Sequence, residues 1–272
     1  MASLDRYLDE LLSRGRACFS RDEALAALGL SSAAFTAAAG RLARKDRLAS
    51  PRRGFYLILR PEDRASGAPD PVRWIDPLMS YQGLDYRISL LRAAAFHGAS
   101  HQAAMVFQVV VPKQLRAIEI GRHRLQFLYQ SPAAFAKTNQ PDWLSQIKSE
   151  TGYAKVAGVE LTLLDSIRYF HNAAGINGVA QIVKDIGARA NPRKLAKLAA
   201  LYENSAVRRL GYLMDRCGQD RQAKALASFA KRAKSMKPLD PSVEPLTEEV
   251  SGHGDKDSKW KLLINESVEI DY

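Results

Sequence analysis

Cysteine is scarce in this chain: Cys18 and Cys217 are the only two, and they stand far apart with no CxxC or Cys/His spacing. That excludes a disulfide framework and a zinc site, and leaves both as small buried hydrophobes. Acidic residues are also in short supply, 29 against 40 Lys and Arg, for a net charge of +11. Such an excess favours a polyanionic partner, although net charge speaks to steering more than to specific recognition. There is no run of eighteen apolar residues, and Met1 to Asp9 contains acids and no apolar h-region. The sequence therefore predicts neither a membrane span nor a signal peptide, and a soluble, cytoplasmic protein is expected.

The catalytic motifs are missing as well. No Walker loop, GxGxxG, GxSxG or HExxH occurs, so phosphate-cradling, hydrolase-elbow and zincin chemistry lack their minimum parts. His97 and His101 are spaced for one helix face, but Gly98 and Ser100 break the helix that a metal pair would need. The expected role of His97 is structural, tying a helix end to a neighbouring loop. Gly175, Ile176, Asn177 and Gly178 match the GxxG loop of KH modules, yet between two helices the segment reads as a turn. Glu160 and Asp165 read as capping or packing groups rather than a paired-carboxylate catalyst. No catalytic residue, metal or cofactor is expected.

What is present begins at Ser20. A serine cap with Glu23 three residues on marks a helix start, Ala24, Leu25, Ala27 and Leu28 give the helix its apolar stripe, and Gly29 closes it. After a turn at Leu30 and Ser31, a second helix is predicted from Ser32 to Lys45, with Phe35, Ala38, Ala39 and Leu42 inward. Its other face carries Ser32, Ala33, Thr36, Ala37, Gly40, Arg41 and Arg44, small or basic residues that let a helix sink into a major groove. Leu48 to Leu59 then reads as a hairpin with Arg52 and Arg53 at its tip, suited to the phosphate backbone or minor groove. Ahead of this, Leu4, Tyr7, Leu8, Leu11 and Leu12 predict an opening helix over residues 3 to 14. Together these form a winged helix-turn-helix in which Ser32, Thr36, Arg41, Arg44, Arg52 and Arg53 are the expected DNA contacts. Charge agrees: residues 1–60 hold eleven Lys or Arg against six acids.

Pro61, Gly67, Pro69 and Pro71 then predict a partly stiff linker. Beyond it the pattern alternates: an apolar helix from Tyr86 to Phe96, strands over 105–111, 116–120, 124–129 and 153–159 in a mainly antiparallel sheet, and a short helix at 143–149. From Leu161 onward the chain reads as helices, with a loose stretch at 255–258 and a final strand at 259–264 that could return to the central sheet. Residues 187–237 hold thirteen Lys or Arg against three acids, whereas 238–272 hold three against nine. The basic run is either the solvated faces of several helices or a second basic surface, with Arg208 and Arg209 on an outward helix face.

The stretch Tyr86, Ser89, Leu90, Leu91, Ala93, Ala94, Ala95, His97, Gly98, Ala99, His101 and Gln102, followed by Val106, Phe107, Gln108 and Val109, resembles AbiEi-type antitoxins of abortive-infection toxin-antitoxin systems. The resemblance extends to Arg53, Gly54, Phe55 and Tyr56 in the wing, to Glu160, Leu161, Thr162 and Asp165, and to Arg209, Leu210, Gly211, Tyr212 and Leu213. Leu239, Asp240 and Pro241, then Trp260, Asn265, Glu269 and Asp271, match its closing segment. Ala103, Ala104, Gly158 and Val159 depart from the family pattern at turns. The resemblance implies autorepression at inverted repeats in the protein's own promoter, and a C-terminal domain that counters a nucleotidyltransferase-like toxin with or without a stable complex.

The expected architecture is α+β: a winged helix-turn-helix at residues 1–62, a linker at 63–72, and a larger mixed α+β antitoxin domain at 73–272. That domain divides into a sheet-containing part (about 73–160), a helical part (about 161–237) and a closing segment (238–272). With no heptad seam, the chain is expected to be a monomer in solution that pairs on double-stranded DNA. The alternatives are a stand-alone winged-helix transcription factor with a ligand-sensing C-terminal domain, and an enzyme fused to a DNA-binding domain.

Overall fold

The computed structural model describes residues 3–99, 106–149, 152–243 and 255–269. His101, Gln102, Ala103, Ala104 and Asp271 lie outside the described residues. The fold is α+β, and the chain divides into two compact units that do not follow sequence order. The first comprises Met1–Ile88, Met105–Pro132 and Gln146–Val156; the second comprises Ser89–Ala104, Ala133–Ser145 and Ala157–Tyr272.

The first unit opens with α1 (Leu4–Ser13), whose start is capped by Ser3 and which buries Leu4, Tyr7, Leu8 and Leu11. A short strand β1 (Cys18–Ser20) leads directly into α2 (Arg21–Leu28), and α3 (Ser32–Ala43) follows after three residues. The hairpin β2 (Leu48–Arg52) and β3 (Phe55–Ile58) completes a three-stranded sheet in the order β1-β3-β2. Sequence periodicity misses β1, which pairs Cys18 with Leu57 and Ser20 with Phe55. Tyr7, Phe19, Phe35 and Tyr56 form a chain of ring contacts 5.4 to 5.8 Å apart through this core. Leu8 and Phe35 are fully buried, so truncating either to Ala costs about 3–5 kcal/mol. Outside the core, Arg47 clips the end of the α3 region to α1 by contacting Asp5 and Asp9, each at 2.6 Å.

The proline-rich stretch is ordered. It contains α4 (Pro61–Arg64) and a 3-10 turn at Pro71–Arg73, with Asp63 and Arg73 paired at 2.9 Å out of solvent. Trp74 is fully buried and donates its indole N–H to the Pro69 carbonyl at 2.9 Å, opening α5 (Ile75–Tyr81). A six-stranded sheet then runs in the order β6-β7-β5-β4-β9-β8. Its strands are β4 (Arg87–Ile88), β5 (Val106–Val111), β6 (Ile118–Ile120), β7 (His123–Tyr129), β8 (Leu144–Ser149) and β9 (Gly152–Ala157).

The sheet is mixed, not mainly antiparallel: β5 runs parallel to β7 and β4 parallel to β9. The cause is topological, since β6 lies outside β7 and lets the chain return beside β5 in the same direction. Two local expectations change with it. Arg87 and Ile88 pair with Val110 and Val109, so the helix expected from Tyr86 begins only at Leu90. The segment after Trp143 is strand β8, where a short helix over 143–149 was expected.

The second unit is helical: α6 (Leu90–Phe96), α7 (Pro132–Thr138), α8 (Val159–Arg168), α9 (Gly175–Ile186), α10 (Pro192–Ala199), α11 (Asn204–Arg216) and α12 (Asp220–Lys231). Helix α8 is its axis, with every residue from Glu160 to Ile167 buried. Asp165 accepts from Ser89 Oγ and from the Tyr202 hydroxyl, each at 2.7 Å, which ties the approaches to α6 and α11 to that axis. Glu160 accepts from the Asn191 main-chain N–H at 2.7 Å, a positioning contact for the start of α10. Gly175–Gly178, read as a turn, forms the first turn of α9.

The closing segment forms its own sheet in the order β10-β12-β11, from β10 (Lys237–Pro238), β11 (Asp255–Asp257) and β12 (Leu262–Ile264). The last strand therefore does not return to the central sheet, and the stretch expected to be loose is one of its partners. Trp260 is fully buried on Gly211 of α11 and donates to Asp215 at 2.6 Å. Arg208 and Arg209, expected on a solvent face, are only 2% and 8% exposed. Arg208 donates to the carbonyls of Ser235 and Lys261 at 3.0 and 2.9 Å, and Arg209 donates twice to that of Pro238. The strand ends present carbonyls that need donors, and the two guanidiniums supply them.

Candidate nucleic-acid interface

The candidate interface is built from the capped ends of α2 and α3. Ser20 Oγ accepts from the Glu23 N–H at 3.2 Å, and Gly29 ends the helix at φ 61°, a left-handed conformation suited to glycine. Ser31 caps α3 in turn by accepting from the Ala34 N–H at 3.2 Å. With each end fixed, α2 and α3 cross at 112°, within the usual range for a helix-turn-helix. The Glu23 carboxyl is held below its ordinary pKa, chiefly by its bond to Arg16.

On α3 the faces separate cleanly. Phe35, Ala39 and Leu42 are buried, while Ser32, Ala33, Thr36, Ala37, Gly40, Arg41 and Arg44 are exposed. Nothing lies within 4 Å of the Cβ position of Gly40, so the face is thin as well as open. Thr36 returns its hydroxyl to the Ser32 carbonyl at 2.9 Å. Arg21, which sequence reasoning passed over, joins the same surface by donating to Ser32 Oγ. A basic residue immediately after the cap was the available signal.

The two arginines of the hairpin tip differ. Arg53 is exposed, and among the described residues no hydrogen bond or ion pair engages its side chain. Arg52 is half-buried and donates to the Arg116 carbonyl. Burial, and then the neighbouring Arg116 charge, lower its pKa from the ordinary arginine value. Arg208 and Arg209 are absent from any surface, as described above. His97 ends α6 and places Nε2 2.7 Å from the Ala157 carbonyl. Both thiols are buried enough to be pushed up to about 11. Among the described residues no single helix is long and apolar enough to cross a membrane.

Residues 87–216 match the family model described as the AbiEi antitoxin C-terminal domain. Through residues 87–216 the chain carries an AbiEi antitoxin C-terminal domain. The match takes in the residues around Asp165, Glu160 and His97 that organise the antitoxin's second unit, and it stops short of α1 to β3. The crystal structure of the RV2827C protein from Mycobacterium tuberculosis is similar to this antitoxin in fold, with a TM-score of 0.64 over 95% of this chain and 89% of that one, at 15% sequence identity. No curated protein matches the chain.

Proposed function

We propose that this antitoxin is also a DNA-binding autorepressor, with a winged helix-turn-helix at residues 1–62 acting on inverted repeats in its own promoter. Residues 73–272 counter a cognate nucleotidyltransferase-like toxin, without catalysis of their own and with or without a stable complex. One observation carries the DNA reading: the exposed side of α3 with its C-cap holds Ser32, Thr36, Arg41 and Arg44 and no acidic residue, outside the buried stripe of Phe35, Ala39 and Leu42. A helix of that cross-section enters a major groove, and its arginines meet guanine edges or phosphate. Arg53 at the hairpin tip reaches the backbone beside it.

The protein works in the cytoplasm, as a monomer that pairs on DNA. Fluorescence anisotropy of the full chain with a duplex from its promoter tests this, with a steep loss of affinity between about 50 and 200 mM salt expected. Arg41→Ala should weaken binding and relax base preference, whereas Arg53→Ala should weaken all sequences alike. Light scattering should give a monomer before DNA is added; a stable dimer at micromolar concentration contradicts that part. In cells, the Arg41→Ala chain should lose promoter repression and still protect against the toxin.

A further inference from the structure

Arg52 sits at the tip of the hairpin, yet its side chain turns back toward the body of the first unit. Its guanidinium donates from Nη2 to the main-chain carbonyl of Arg116, just ahead of β6, and lies over the Phe127 ring of β7 at 5.9 Å from the centroid. A second tie comes from the end of α5. The Tyr81 hydroxyl donates to the Arg53 carbonyl at 3.2 Å, and its ring rests against Phe55 at 5.5 Å. Gly54 between them has φ +82°, and a Cβ there would come within 2.4 Å of that hydroxyl. Arg52, Arg53 and Phe55 are thus held by the body of the unit, and the Arg53 side chain is left exposed to solvent.

Arginine suits this task because its planar fork can donate along one edge and stack on a ring at the same time. A tip fixed before binding has less freedom to lose when it meets DNA. A guanidinium already committed to a carbonyl and a ring face is also poorly placed to pair with phosphate. The geometry points to Arg52 as a positioning residue for DNA binding that acts through Arg53, by holding the wing against the edge of the six-stranded sheet. The inference rests on the DNA-binding reading above. It makes Phe127, an uncharged residue in the sheet, a contributor to affinity for DNA.

The test is a double-mutant cycle on the full chain, read by anisotropy with the promoter duplex across a salt series, each variant first checked for a native unfolding transition. Arg53→Ala is expected to weaken binding about three- to tenfold and to lower the salt slope by about one. Arg52→Lys keeps the charge but cannot stack and bridge, so it should weaken binding by a similar factor and lower the slope as well. Arg52→Ala in the Arg53→Ala background should change little further, because the residue acts through one already removed. Phe127→Leu, which keeps an apolar side chain but removes the ring face, should weaken binding about two- to fivefold.

Full rescue by Arg52→Lys, or additive losses in the Arg52/Arg53 double variant, overturns the inference and makes Arg52 a phosphate contact in its own right. If Arg41→Ala and Arg53→Ala both bind as the unaltered chain does, the DNA-binding reading itself fails, and that result is distinct from either of the others.

Discussion

Arg41 and Arg44 on α3, and Arg208 and Arg209 on α11, are pairs of arginines on amphipathic helices, and they have opposite fates. The α3 pair is exposed beside alanines and a glycine, whereas α11 is buried continuously from Ala206 to Met214. The difference does not lie in the helices' own patterns, since each has apolar residues at spacings of three and four. It lies in what covers the second face. Among the described residues nothing covers that of α3; Pro238 of β10, Trp260 and Lys261 cover that of α11. Clustered positive charge is therefore left on an open surface in one unit and forms a structural clamp in the other. Only the number of main-chain carbonyls within reach separates the two cases.

The sharpest way to break this comparison is charge reversal. Arg208→Glu with Arg209→Glu should cost at least about 3–5 kcal/mol, because it buries acids against carbonyl oxygens. Arg41→Glu with Arg44→Glu should leave stability within about 0.5 kcal/mol and remove DNA binding. Urea melts of the two variants decide it, and equal losses would sink the distinction. A smaller effect comes from glycine. Gly211→Ala would bring a methyl within 2.1 Å of the Trp260 ring and should cost about 1–3 kcal/mol. Gly40→Ala meets open space and should stabilise by about 0.5–1 kcal/mol while weakening DNA binding, because it thickens the groove-facing side.

The smallest effect is a pH dependence in the N-terminal helices. Glu23 has its pKa lowered in the folded state, first by the Arg16 hydrogen bond, from an ordinary value of 4.5. Its contribution is therefore complete above about pH 4.5 and disappears as pH falls through the folded value. Glu23→Gln should flatten that acid limb in melts at pH 3 to 6. The pair is partly exposed, so the change should stay below about 1 kcal/mol.

The helices α2 and α3 were legible because their information is local: Ser20 as a cap, Gly29 as a stop, and Phe35, Ala39 and Leu42 at helical spacing. Strand β1 was not, because three residues ahead of a cap carry no period and only their register with β3 defines them. Strand β8 was misread because Leu144 and Ile147 are three apart in a segment too short to show alternation. The outward assignment of Arg208 and Arg209 used only the period of α11 and could not register Lys261, 53 residues on. The same holds at the wing. Exposure of Ser32, Thr36, Arg41, Arg44 and Arg53 followed from neighbouring residues, but the engagement of Arg52 depends on Arg116, 64 positions later.

Translation adds a consequence to the Arg208 and Arg209 clamp. As α11 leaves the ribosome, the carbonyls that will receive its two guanidiniums belong to residues 235, 238 and 261, which have not yet been synthesised. The second unit therefore cannot finish folding until the strand after Trp260 arrives. A chain clipped between Pro238 and Trp260 leaves Arg208 in an apolar seat without its Lys261 acceptor and α11 without the Trp260 ring on Gly211, a state that quality-control proteases recognise by its opened surface. Loss of a short C-terminal piece should thus remove the whole antitoxin from the cell rather than leave a weakened one. Pulse-chase half-lives of chains ending at residue 243 and residue 269 would show it, and equal lifetimes would refute it.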